Sequence, residues 1–103
     1  MNAAAIKELY GRKARALSRR PAFGRGTAQA WVRLESGLAC EIEHDGGRLR
    51  TDQPESEGGE GSGPDPGQLL RASLGAGLAM GYRIWGARLD VPIERVDVEV
   101  TCD

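Results

Sequence analysis

The sequence predicts an α+β domain, on three observations. Helical periodicity opens the chain, three short runs with period-two alternation follow, and a long uncharged segment of helical character comes after them. Strands gathered on one side of a helix make an α+β arrangement rather than a parallel α/β one. With 103 residues the chain is read as a single domain, 1–103, of thin core.

The first element is a helix over "NAAAIKELYGRKARALS". Ile6, Leu9, Tyr10 and Leu17 fall near one face at a spacing of about 3.6 residues. "RRPAFGRG" ends it with Pro21, Gly24 and Gly26. Residues 1–25 thus form a basic helical arm. From Lys7 to Arg25 the cations are Lys7, Arg12, Lys13, Arg15, Arg19, Arg20 and Arg25, against the acid Glu8.

Three strands come next. In "TAQAWVRLE", Ala28, Ala30, Val32 and Leu34 share one side, while Gln29, Trp31 and Arg33 take the other. Ser36-Gly37 is read as a two-residue hairpin loop, after which "LACEIEHD" runs back with Leu38, Cys40 and Ile42 on one face. Asp45-Gly46-Gly47 marks a second turn before "RLRTD", the third strand of the meander. Residues 53–65 are an acidic loop whose glycines and prolines prevent regular structure.

A capping box starts the second helix. Asp65 stands as N-cap, Pro66 at the favoured first position and Gln68 three residues on, able to reach back to the cap. The helix runs to about Leu89. Leu69, Leu70, Leu74, Leu78, Met80, Tyr82, Ile84 and Trp85 cover most of its circumference, the pattern of a buried helix. "RVDVEVTCD" then alternates Val96, Val98, Val100 and Cys102 with polar residues, predicting a final half-buried strand.

The net charge is −1, so no global field draws the chain to nucleic acid or to a membrane surface. The longest uncharged run, Ala72 to Tyr82, is shorter than the roughly 20 residues a transmembrane helix needs. No apolar leader opens the sequence. The two cysteines, Cys40 and Cys102, have no zinc-type or Cys-x-x-Cys spacing. A cytoplasmic protein with reduced thiols, no metal and no cofactor is the expectation. Both cysteines alternate onto apolar faces, where a thiol packs as a small hydrophobe. Neither has a cation or a helix start beside it in sequence, the surroundings that make a reactive thiolate. His44, the one histidine, sits at a turn and cannot build a metal site alone.

The central helix contains "SLGAGLAMGY", with glycines at 75, 77 and 81. Each interior glycine costs a helix about 0.8–1 kcal/mol relative to alanine. Ser73, Gly77 and Gly81 are spaced by four and lie on one ridge, a flat seat on which another backbone can approach. Trp85 lies further along the same helix and is assigned to a dimer core, while Trp31 and Trp85 are both candidates to line an apolar pocket.

The stretch "GGEGSGPDPGQLLRASLGAGLAMGYRIWGARLDVPIERVDVEV" resembles the central segment of the OsmC/Ohr family: a Gly-rich loop, a Pro-x-x-Leu helix start, an Ala/Gly-rich helix and an acidic Val-x-Val-x-Val strand. The hairpin "GTAQAWVRLESGLACEIE" resembles a subgroup of the same family, so the likeness runs from about Gly26 onward. It implies an intertwined homodimer with central helices packed between sheets, and thiol-dependent reduction of organic hydroperoxides in defence against oxidative stress. The family's peroxidatic cysteine corresponds to Gly77, and the glutamate of its helix start to Gly67. Arg33 is the candidate for its arginine. Its resolving cysteine belongs to a C-terminal half, beyond the point where this sequence ends.

Glycine carries no nucleophile, and peroxide reduction needs a thiolate that becomes a sulfenic acid. The resemblance therefore implies a degenerate site and a non-enzymatic binding or structural module, paired with itself or with a second OsmC-like chain, and with room for a small hydrophobic ligand. The alternative is a peroxiredoxin-like hydroperoxide reductase using Cys40 or Cys102. A third reading makes the basic arm a dock for acidic partners or nucleic acid. The balanced overall charge favours the readings without membrane or nucleic acid.

Overall fold

The computed structural model describes residues 1–103. Its elements are α1 (Ala3–Arg19), a 3-10 turn (Pro21–Gly24), β1 (Ala30–Leu34), β2 (Cys40–His44), β3 (Gly47–Thr51), a second 3-10 turn (Glu55–Glu57) and α2 (Pro66–Arg88). Two helices and an antiparallel sheet make the class α+β. The chain forms two compact units, Thr27–Ser73 and Met1–Gly26 with Leu74–Asp103.

In the unit Thr27–Ser73 the sheet has the order β1-β2-β3. Val32, Ile42 and Leu49 stand opposite one another on one face. On the other face Arg33 opposes Glu41 and Glu41 opposes Arg50, while Trp31, Glu43 and Arg48 form the neighbouring row. Arg50 pairs with Glu41, and Arg48 with Glu43 at 3.2 Å. Alternation in the sequence thus sets both faces, as period two requires.

The first turn differs from the expectation. β1 ends at Leu34 and β2 begins at Cys40, its partner across the ladder, so residues 35–39 form the connection and Gly37 takes φ 62°. A two-residue loop at Ser36-Gly37 would have paired Val32 with Glu41. The longer loop shifts the register by one and puts Val32 opposite Ile42, which keeps the apolar set on one face. The second hairpin closes tightly, with His44 paired to Gly47.

α2 begins as predicted. Gln68 N–H donates to Asp65 Oδ1 at 2.7 Å, and Asp65 N–H donates to Gln68 Oε1 at 2.9 Å. Each satisfies a backbone donor that the helix start would leave open.

In the unit of Met1–Gly26 and Leu74–Asp103, Asn2 caps α1 by accepting from the Ala5 N–H at 2.9 Å. α2 ends in a Schellman arrangement: Val91 N–H donates to Gly86 O at 2.8 Å, and Asp90 takes the left-handed φ of 59°. The Asp90 carboxylate meets Lys7 Nζ at 2.9 Å, tying α1 to the end of α2.

Two expectations are corrected. Residues 95–102 form no strand. A strand needs a ladder partner for its N–H and C=O groups, and the sheet of this chain contains β1, β2 and β3 alone. The segment instead lays Val100 and Val98 along α2, where a Cβ on Gly75 would stand 3.5 and 3.8 Å from their methyl carbons. Nor is α2 buried within one chain. Gly86 and Ala87 are its only buried residues, while Leu70, Leu74, Leu78, Tyr82, Trp85 and Leu89 are exposed. The helix is apolar on most sides, and this chain covers one of them.

Candidate functional site

Position 77 lies midway along α2. A Cβ there would have no neighbour within 4 Å, and the same holds at Gly81. The ridge expected as a seat is therefore open. Ser73, at its N-terminal end, donates its hydroxyl to Leu70 O one turn back at 2.8 Å. The exposed side chains of Leu74, Leu78, Tyr82 and Trp85 run beside the ridge, and Arg88 stacks over the Trp85 ring at 4.8 Å. Of the glycines at 75, 77 and 81, Gly75 is the one that receives packing within the chain, and the ridge does not include it.

Gly67 occupies the first turn of α2. A Cβ there would stand 3.3 Å from both Asp65 Oδ1 and Arg71 Nη1. The position that the resemblance gives to a glutamate thus borders a guanidinium but offers no carboxylate of its own.

The alternative thiols are poorly furnished. Cys40 is half-buried in β2, and its Sγ lies 3.9 Å from Leu38 O. It stands opposite Leu34 in the ladder, whereas Arg33 is the next residue along β1. Adjacent strand residues point to opposite faces, so the Arg33 guanidinium and the Cys40 thiol are separated by the sheet. Arg33 takes part in no ion pair, because its cross-strand neighbour Glu41 is engaged by Arg50. Cys102 is exposed in the terminal segment. His44 Nδ1 accepts from Gly46 N–H at 3.2 Å and serves its own turn.

The most elaborate polar arrangement was not foreseen in the sequence. Asp52, 2 % exposed, follows β3. Its Oδ2 accepts from the Ser62 hydroxyl at 2.6 Å, the Ser62 N–H at 3.1 Å and the Glu60 N–H at 3.2 Å, and its Oδ1 accepts from the Gln53 N–H at 2.7 Å. The Ser62 hydroxyl, then the Ser62 N–H, outweigh the opposing effect of burial, and with the Gln53 and Glu60 N–H groups they lower the Asp52 pKa from 3.8 to about 2. All four donors favour the ionised form. Backbone bonds from Asp52 N–H to Pro64 O and from Gly61 N–H to Gln53 O close the same loop. The signal lay in "TDQPESEGGEGS": an acid at a strand end, followed by glycines whose N–H groups need acceptors. Both oxygens of this carboxylate accept from donors of the loop, so its role there is structural.

A groove of about 460 Å³ crosses the charged face of the sheet between Arg33, Glu41, Arg50 and Gly59. Its arginines at 48 and 50 are neutralised by Glu43 and Glu41. No family model, curated protein or solved structure matches this chain.

Proposed function

We propose that this chain is an OsmC-like protein with a degenerate peroxidatic site, and that it works as a non-enzymatic binding or structural module in a homodimer. The observation that carries the reading is the open ridge at Gly77, which has no nucleophile and lies beside an uncovered apolar stripe of α2.

The uncovered face of α2 supports the dimer. The exposed apolar side chains of α2 are large and spaced at one helical turn, a contiguous patch of the kind that marks an association site.

Hydroperoxide chemistry by Cys40 would lack the Arg33 cation, which lies on the other face of the sheet. The test combines two measurements on one sample. Sedimentation is expected to give twice the chain mass. A free-thiol count is expected to stay constant for minutes after one equivalent of an organic hydroperoxide. A monomer at micromolar concentration overturns the dimer, and rapid thiol loss returns the chain to the peroxidases.

A further inference from the structure

A second groove, of about 470 Å³, lies between α1 and α2 and does not depend on the fate of Gly77. Ile6 and Leu9 of α1, Met80 and Ile84 of α2 and Val96 line it, and the one charged side chain in its wall is Arg83. Its volume falls within the roughly 300–1,000 Å³ of small-molecule sites, which combine apolar walls with a few placed polar groups.

Arg83 is held in place and left uncompensated. Its two terminal nitrogens donate to Ile93 O at 2.8 Å and Glu94 O at 3.1 Å. Those carbonyls fix the guanidinium but do not neutralise it, and Arg83 belongs to no ion pair. Five N–H donors are available on a guanidinium, so donors remain for an anionic partner. The nearest fixed ion pair, Lys7 with Asp90, satisfies itself.

The groove lies opposite the stripe of Leu74, Leu78, Tyr82, Trp85 and Leu89 but beside the Gly77 ridge, because at about 100° per residue Ile84 and Met80 share a side of α2 with Gly77. A second copy seated on the stripe alone leaves the groove open, whereas one that also covers the ridge reaches Met80 and Ile84.

We propose that this groove binds a linear amphipathic monocarboxylate, its alkyl chain along Ile6, Leu9, Met80 and Ile84 and its carboxylate on Arg83. A charge-assisted bond to a pre-positioned guanidinium supplies the head-group selectivity, and burial of methylenes supplies the affinity.

The experiment is calorimetric titration of the full chain with decanoate and, separately, decanol, both below their aggregation concentrations. Decanoate is expected to bind about tenfold or more tightly than decanol, the margin of one charge-assisted hydrogen bond, and to lose that margin in Arg83→Gln. Because Arg83 also holds residues 93 and 94, a second variant is used. Met80 is exposed, so Met80→Glu leaves the fold intact while placing a carboxylate in the wall. It is expected to weaken decanoate about tenfold more than it weakens decanol, since the lost methionine contact is common to both and the added charge opposes the carboxylate alone. Equal affinity for the two ligands, no binding of decanoate at millimolar concentration, or indifference of decanoate to Met80→Glu each overturns the proposal. So does decanoate binding that falls as the chain self-associates, which would give the groove to a second copy. The dimer reading fails or stands on mass alone, so the two outcomes are separable.

Discussion

The Ser62 hydroxyl donates to Asp52 Oδ2 at 2.6 Å across ten residues of chain, and the Ser62 N–H donates to the same oxygen at 3.1 Å. This one residue closes the glycine-rich loop onto the end of β3 and makes the loop a part of the fold.

The contact has a pH signature. Asp52 has a folded-state pKa of about 2, below its ordinary 3.8. A depressed carboxylate stabilises the fold fully above the unfolded value, and that contribution disappears as pH falls through the folded one. The stability that Asp52 supplies is therefore complete above pH 3.8 and lost between there and about 2. Asp52→Asn is expected to lower the urea midpoint at pH 6, with the gap to the wild type closing towards pH 2. A gap that stays constant over that range would assign the effect to shape rather than charge.

Gly59 is required where it stands. A Cβ there would overlap the Gln53 carbonyl and reach 2.6 Å from Asp52 Oδ1. Backbone cannot yield as a side-chain tip does, so Gly59→Ala is expected to cost about 1–3 kcal/mol. Gly26→Ala, with nothing within 4 Å, is the control and should be near neutral. Chemical denaturation compares them, and equal stabilities would mean the loop relaxes freely.

At Gly77 the free chain and the proposed dimer predict opposite signs. Nothing lies within 4 Å of a Cβ at this position, so Gly77→Ala should raise the helix stability of the dissociated chain by about 0.8–1 kcal/mol. In the dimer a larger side chain lifts the partner's backbone, and Gly77→Leu is expected to weaken association about tenfold. Thermal melts at high dilution and sedimentation equilibrium read the two effects. Unchanged association in Gly77→Leu would place the interface elsewhere.

Introducing a thiol at position 77 tests the proposed degenerate site directly. Gly77→Cys is expected to consume an organic hydroperoxide, the sulfur taking one oxygen as a sulfenic acid while the alcohol leaves. Adding Gly67→Glu should raise the rate further. The wild type, Cys40→Ser and Cys102→Ser are all expected to leave the hydroperoxide unconsumed. Consumption by the wild type that disappears in either serine variant would identify the working cysteine.

The local features of the fold were legible in the sequence for local reasons. Period two in "AWVRL", "CEIEH" and "GRLRT" set the sheet faces, and Asp65-Pro66 with Gln68 set the start of α2, because side-chain alternation and capping depend on residues a few positions apart. The first hairpin was misread because its turn signal, Ser36-Gly37, is local, whereas its register is chosen by matching Val32 to Ile42 across the strands. The Asp52 cluster was missed because its donors lie up to ten residues away, and no periodicity links a carboxylate to the N–H groups of an irregular loop.

By itself the sequence determined the two helices, the three strands of the meander, the two faces of the sheet, the cap of α2 and the absence of a nucleophile at position 77. Tertiary structure decided which of these are covered. It gave Gly75 rather than Gly77 to the packing of Val98 and Val100, denied residues 95–102 a ladder partner, left the Leu74–Leu89 stripe bare and set Arg83 without a counterion in an apolar wall. The reason is physical: alternation and helical spacing state which side chains share a face, but burial and charge compensation are sums over neighbours distant in sequence, and only the folded chain brings those neighbours into place.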